Sequence, residues 1–273
     1  MVEPEILAYY ERNAERDRLA SGARRIEFLR MRDLLARHLP PPPAKILDVG
    51  GGAGVYALPL AADGYEVHLI DPVPLLVRQA AEASRAAAAP LVSCSVGDAR
   101  SLAAADSSAD AVLLLGPLYH LTSRDDRVAA LREARRVTRP KGVVAALALS
   151  RFYPLFEELV GGLGTEPSNT TGGTAAFLAD GQYRNPSGNV QGFTTSYFHR
   201  PQDLANEAGD AGLDVEELVG VSGIVKLVLA DLAERLDNPA RRDAVLTLLR
   251  LLETEPSLLG ASQNLVAIAR VPA

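Results

Sequence analysis

The run Ile46-Leu47-Asp48-Val49-Gly50-Gly51-Gly52-Ala53-Gly54 constrains this chain more than any other stretch of it. Its first four residues read as a short, largely apolar strand, and four glycines then fall within five positions. A turn needs fewer glycines than that. Removing the Cβ atoms lets the main chain approach a ligand closely and exposes its amide donors near a helix N-terminus. A helical stretch follows from Val55 to Asp63, and Gly64 ends it as a C-cap.

The same rhythm continues downstream. Glu66 to Ile70 reads as a strand closing on Asp71-Pro72, and Pro74 to Ala87 as a helix with proline in its first turn. Leu91 to Val96 and Asp110 to Leu115 are further strands, the first leading into Gly97-Asp98. Ser123 to Thr138 is a helix, ended by Pro140-Lys141-Gly142, and Val143 to Leu149 is a fifth strand. Near-continuous apolar strands alternating with helices imply βαβ units around a parallel sheet covered on both faces. The fold class expected is therefore α/β and doubly wound.

Upstream, residues 5 to about 39 read as helical. Phe28, Met31, Leu35 and Leu39 share one face, Gly22 interrupts the pattern, and four prolines at 40–43 end it. Residues 1–43 are expected to form an N-terminal helical cap and 44–273 the main domain. Between 150 and 199 the alternation stops in a stretch rich in Gly, Asn, Thr and aromatics. A structureless loop of that length is unusual, so an inserted lid is expected there. A helix at 201–211, a strand at 213–218, helices near 224–236 and 239–253 and a last strand at 265–269 complete the reading.

Charge and cysteine usage narrow the function. The net charge is -6, which disfavours a polyanionic partner, so no nucleic acid is expected. The one cysteine, Cys94, allows no intrachain disulfide and fits a reducing compartment. The N-terminus carries no apolar leader, and no run approaches a membrane span. A cytoplasmic protein without a membrane partner is expected. The four histidines lack metal-ligand spacing, so no metal is expected.

Ligands in such sheets bind beyond the carboxyl ends of the strands. Three groups lie there: the turn Gly50, Gly51, Gly52 and Gly54; Asp71, an acceptor for ribose hydroxyls; and Asp98, an acceptor for an exocyclic amine. Nicotinamide enzymes also carry a glycine turn followed by an acid, but as Gly-x-Gly-x-x-Gly, whereas Val55 occupies the last of those positions here. Asp48, two residues before the first glycine, is unfavourable beside a pyrophosphate and favourable beside a sulfonium or ammonium. A nicotinamide-dependent oxidoreductase and a non-catalytic protein retaining the pocket stand as alternatives.

Residues 46–54 resemble the first motif of class I S-adenosylmethionine-dependent methyltransferases of the small-molecule type. Asp71 and Gly97-Asp98-Ala99 match that family's ribose- and adenine-binding positions, and 131–142 resembles its segment before the fifth strand, with Lys141 where a second glycine is usual. The resemblance implies a Rossmann-like, seven-stranded sheet and S-adenosylmethionine as cofactor. It places Gly50, Gly51, Gly52, Gly54, Asp71, Pro72, Asp98, Ala99 and Gly116 around that cofactor. In similar enzymes an N-terminal segment folds over it, which nominates Tyr10 and Arg18, with Arg30 as a second cation.

Leu115-Gly116-Pro117-Leu118-Tyr119-His120-Leu121 follows the fourth strand, where the reacting methyl would face its acceptor. Gly116 has no side chain to accept from a nucleobase amine, which argues against DNA-amine methylation. His120, titrating near neutrality, is the candidate base, with Tyr119 shaping the pocket; the alternative is a histidine that only holds its loop. His199 is a further candidate should the lid close. The expected reaction is methyl transfer to O or N of a small organic acceptor.

Overall fold

The computed structural model describes residues 4–11, 22–161, 173–184 and 193–273. Helix α1 (Pro4–Glu11) precedes α2 (Arg25–His38), after which β1 (Lys45–Val49), α3 (Ala57–Ala62), β2 (Glu66–Asp71), α4 (Pro74–Ala86), β3 (Ser93–Val96), β4 (Ala109–Leu114), α5 (Arg124–Val137) and β5 (Thr138–Ser150) alternate. The insert supplies α6 (Tyr153–Gly161), α7 (Gly173–Asp180), β6 (Gln182–Tyr183) and β7 (Ser196–His199). Then come α8 (Pro201–Asp210), β8 (Asp214–Gly220), α9 (Val225–Val228), α10 (Leu232–Asp237), α11 (Pro239–Leu252), α12 (Pro256–Leu259) and β9 (Asn264–Arg270).

Seven strands run in the order β3-β2-β1-β4-β5-β9-β8. The first five pair in parallel, and β9 is antiparallel to both β5 and β8. The order reverses between β1 and β4, so the loops after those strands diverge and leave a crevice at their carboxyl ends. Side chains alternate across the sheet and feed two cores. Val112, Leu114, Val144 and Ala146 pack with α5 and α8 on one face; Ile46, Val67, Leu69 and Leu113 pack with Met31, Leu34 and Leu35 of α2 on the other.

Three sequence expectations are revised. The insert contributes strands: β7 pairs with β5 at Leu149 and Ser150, and β6 pairs with β7, so the sheet carries two strands beyond the expected seven. Leu149 bonds β9 on its other side, which puts the β6–β7 hairpin in line with β4, directly past that strand's end. The fifth strand begins at Thr138 and encloses the Pro140-Lys141-Gly142 turn, where Lys141 takes φ 64°. Residues 224–236 form two helices, because the chain extends at Leu229 before α10 begins. Among the described residues no helix is long and apolar enough to cross a membrane.

Candidate active site

A cavity of about 230 Å³ opens at the carboxyl ends of β1, β2 and β4. The loop after β1 forms its floor. Gly50 (φ 75°) donates its amide to the Ile70 carbonyl at 2.7 Å, which ties the loop to the end of β2. Gly50 and Gly116 press together: a methyl group on Gly116 would lie 2.7 Å from the Gly50 carbonyl oxygen. Gly52 differs. At φ 57° it faces open space, with no atom within 4 Å of where a Cβ would stand. Its missing side chain leaves room that none of the described residues fills. Gly54 is a correction to the expected lining: it is buried behind the loop against Leu58 and Ala80, and serves the turn.

Two carboxylates sit beneath this loop. Asp71 accepts from the amides of Gly52 (2.8 Å) and Val73 (2.9 Å). Asp48 is 1 % exposed, and neither of its oxygens has a hydrogen-bond partner among the described residues. Gly51 makes space for it, since a Cβ there would stand 2.7 Å from Asp48 Oδ2. Burial, reinforced by the charge of Asp71, pushes the Asp48 carboxyl up to about 7. Burial likewise raises Asp71 to about 6, despite its two amide donors. A buried, unpartnered carboxyl next to a second one is costly unless a cation joins it. The alkylated sulfur and amino group of S-adenosylmethionine supply such charge, and the vacant space at Gly52 accommodates close approach. The residues fit that cofactor.

Pro72, Asp98, Ala99 and Gly116 also line the cavity. The Asp98 carboxylate is shared, however. Arg100 donates to it through Nε (3.0 Å), a terminal nitrogen (2.6 Å) and its own amide (2.9 Å), and also reaches Asp126 at 3.1 Å. The hydrogen bonds from Arg100 hold Asp98 below the usual carboxylate range. Three donors to Asp98 thus come from Arg100 alone. Arg100 and Asp126 were not foreseen in the sequence; two residues beyond Asp98, the arginine orients the acid, and no spacing rule points to it.

The roof is aromatic. His120 ends a 3₁₀ turn at Leu118–His120. Its Nε2 lies 2.7 Å from the Tyr10 hydroxyl of α1, 110 residues away. Around this pair stand Tyr119, 4.5 Å from the imidazole between ring centroids, and Phe193 at 5.9 Å. Ile6 of α1 also faces the cavity. Glu5 fastens that helix by accepting from the amide (3.1 Å) and hydroxyl (2.8 Å) of Thr195. Burial pushes His120 down to about 4, against a smaller upward pull from the Thr195 main chain. The imidazole is therefore neutral through the physiological range. Ile6 and Phe193 carry no local motif; only tertiary folding brings them here.

Other candidates go elsewhere. Arg30 is fully buried on α2, donating to the Val221 carbonyl at 3.1 Å and pairing with Asp33 and Glu253, so it stabilises the α2–α11 contact and does not reach the cavity. His199 is buried against Glu207 (3.1 Å) and does not line the pocket. His68 bonds Ser93, and His38 lies 3.6 Å from Glu217. Arg18 lies outside the described residues.

Comparison with known proteins agrees with this geometry. Residues 46–142 match a methyltransferase domain. The ubiquinone biosynthesis O-methyltransferase of Azorhizobium caulinodans is 28% identical over 199 residues, covering 70% of each chain. An S-adenosylmethionine-dependent methyltransferase from Methanosarcina mazei superposes with a TM-score of 0.60 at 18% identity, over 88% of this chain and 97% of the other. A Haloferax volcanii methyltransferase, solved in complex with the Trm112 methyltransferase activator, gives 0.61 at 19% identity over 98% of both. These structures share its fold. Residues 46–142 are thus a methyltransferase domain, and the chain is an enzyme that shares the fold of S-adenosylmethionine-dependent methyltransferases.

Proposed function

We propose that this enzyme transfers a methyl group to oxygen or nitrogen of a small apolar or conjugated acceptor in the cytoplasm. In this reading Gly50, Gly51, Gly52, Asp71, Pro72, Asp98, Ala99 and Gly116 hold the cofactor, and His120 takes the acceptor's proton. The observation that carries it is the His120 imidazole hydrogen-bonded to the Tyr10 phenol, with both rings and that of Tyr119 lining the cavity. The similarity to an O-methyltransferase of ubiquinone biosynthesis supports a small acceptor. When bound, S-adenosylmethionine supplies an electrophilic methyl on a sulfonium.

The protein's part is alignment, dryness and one proton. Tyr10, Tyr119 and Ile6, which line the cavity, exclude water, so the acceptor's lone pair meets the methyl without a hydration shell. As the new bond forms, the acceptor's O–H or N–H becomes strongly acidic, so even a weak base can receive its proton. His120 Nε2 already holds a hydroxyl at 2.7 Å, the distance such a transfer requires. Asp48 and Asp71 complement positive charge at the opposite wall.

Two outcomes follow. His120→Ala should lower turnover by about 10²-fold, the usual worth of a positioned base, while S-adenosylhomocysteine still binds. Turnover at saturating S-adenosylmethionine should stay level from neutral pH down to about 5 and fall only as His120 takes up its proton near 4. An unperturbed histidine would lose activity below about 6.5. Assaying S-adenosylhomocysteine formation over a panel of hydroxylated and amino-substituted aromatics checks both. Turnover on nucleic acid or protein in place of every such acceptor would overturn the proposal.

A further inference from the structure

A second charged cluster lies behind the acceptor side of the cavity, outside the residues that face it. Arg127, at the start of α5, is 2% exposed. One terminal nitrogen donates to the carbonyls of Leu121 (2.9 Å) and Thr122 (3.0 Å), both of which line the cavity immediately after His120. Its other nitrogens grip Glu207 of α8 at 2.7 to 3.1 Å, and its guanidinium lies 3.6 Å from the Tyr197 ring centroid on β7. His199 completes the group on Glu207. From the insert, Gln182 of β6 donates to the same Thr122 carbonyl at 3.0 Å.

The geometry points to Arg127 as a positioning residue for methyl transfer: it clamps the main chain at 121–122, and thereby the turn that presents His120, to the insert and α8. One direction of its buried guanidinium faces away from Glu207. Here that direction is spent on two successive carbonyls just past the reacting turn. The planar fork of arginine serves this; a lysine offers a single point of charge and cannot hold the Glu207 carboxylate and both carbonyls together. Among the described residues, the cluster's hydrogen bonds and ring contact reach none of Gly50, Gly51, Gly52 and Asp71. Cofactor affinity and acceptor-side order are therefore separable. This inference rests on the proposed role of His120.

The test is Arg127→Lys, read by calorimetry with S-adenosylhomocysteine and by NMR titration of the His120 ring. Wild-type protein that fails to bind S-adenosylhomocysteine would sink the functional reading itself, whatever the variant does. With binding intact in both proteins, the clamp predicts cofactor affinity within about threefold of wild type and a His120 midpoint raised by about one unit, as the loosened turn admits water. An unmoved midpoint in a folded variant would overturn the proposal and leave Arg127 a packing residue. Should Arg127→Lys not fold, Gln182→Ala removes only the insert's bond to Thr122. It should raise the midpoint in the same direction by less, and no movement there would count equally against the clamp.

Discussion

Asp48→Asn is expected to make the ligand-free protein more resistant to heat at pH 8 and, in the same molecule, to weaken S-adenosylmethionine binding. The reason is that Asp48 is buried beside Asp71 with no hydrogen-bond partner among the described residues. In the unfolded chain this carboxyl ionises near pH 4. In the native protein it does so only near 7. Between those values the folded state keeps a proton that the unfolded state has released, so stability falls as pH rises from about 4 to 7 and levels off above. Asparagine removes that dependence. Its buried amide still lacks partners, which offsets part of the gain, so the net benefit at pH 8 should be on the order of 1–3 kcal/mol. Melting curves at pH 5 and pH 8 check it: the variant's advantage must grow with pH. Binding should move the other way, by about 10- to 100-fold, the usual worth of a lost charge-assisted contact.

Two glycines should separate folding from binding. Gly116→Ala forces a methyl group to within 2.7 Å of the Gly50 carbonyl oxygen, and main chain cannot swing aside as a flexible side chain could. The loops after β1 and β4 must part, at a cost of about 1–3 kcal/mol as overpacking usually gives. At Gly52→Val the added Cβ meets no atom of the described residues within 4 Å. It carries the strain of a branched residue at φ 57°, about 1–2 kcal/mol, yet it fills the space left for the ligand. Gly52→Val should therefore remain folded and lose S-adenosylhomocysteine binding by at least about 10²-fold, whereas Gly116→Ala should lower thermal stability first. Denaturation midpoints paired with titration calorimetry distinguish them. Equal effects on both properties in both variants would mean the loop has no separate ligand role.

The floor of the site was legible in the sequence because its signals are local. A buried parallel strand reads as an apolar run, its turn as glycines, and the acid closing β2 as a break in the apolar pattern; all lie within about thirty residues of each other. Asp48 stood out by charge within a strand, and its lack of a hydrogen-bond partner among the described residues gives that position its meaning. The roof was legible only in part. Tyr10 and His120 were each nominated, but their contact joins residues 110 apart and no period in either segment announces it. The insert was expected as a lid because its composition lacks any period, and the strand pairing at Leu149 and Ser150 depends on partners nearly fifty residues downstream. Arg30 misled for a related reason. An arginine on an amphipathic helix looks like a solvated or ligand-facing cation until Glu253, 223 residues away, arrives beside it.

Asp98 shows a subtler limit. It lines the cavity after β3, but two of its hydrogen-bond donors come from the side chain of Arg100, a pairing only the folded geometry reveals. Along the roof the opposite holds: Glu5 and Ile6 of α1 make contacts that neither their own segment nor its charge pattern implied, whereas Tyr10, nominated by the resemblance, meets His120 there.

The sharpest single measurement is calorimetric titration of S-adenosylmethionine at pH 6.5, in two buffers that differ in ionisation enthalpy. Cation binding beside Asp48 and Asp71 predicts that protons leave the protein on binding, and that affinity climbs with pH up to about 7 and then holds. Proton uptake, or an absence of binding alongside tight binding of NADH, would contradict the account.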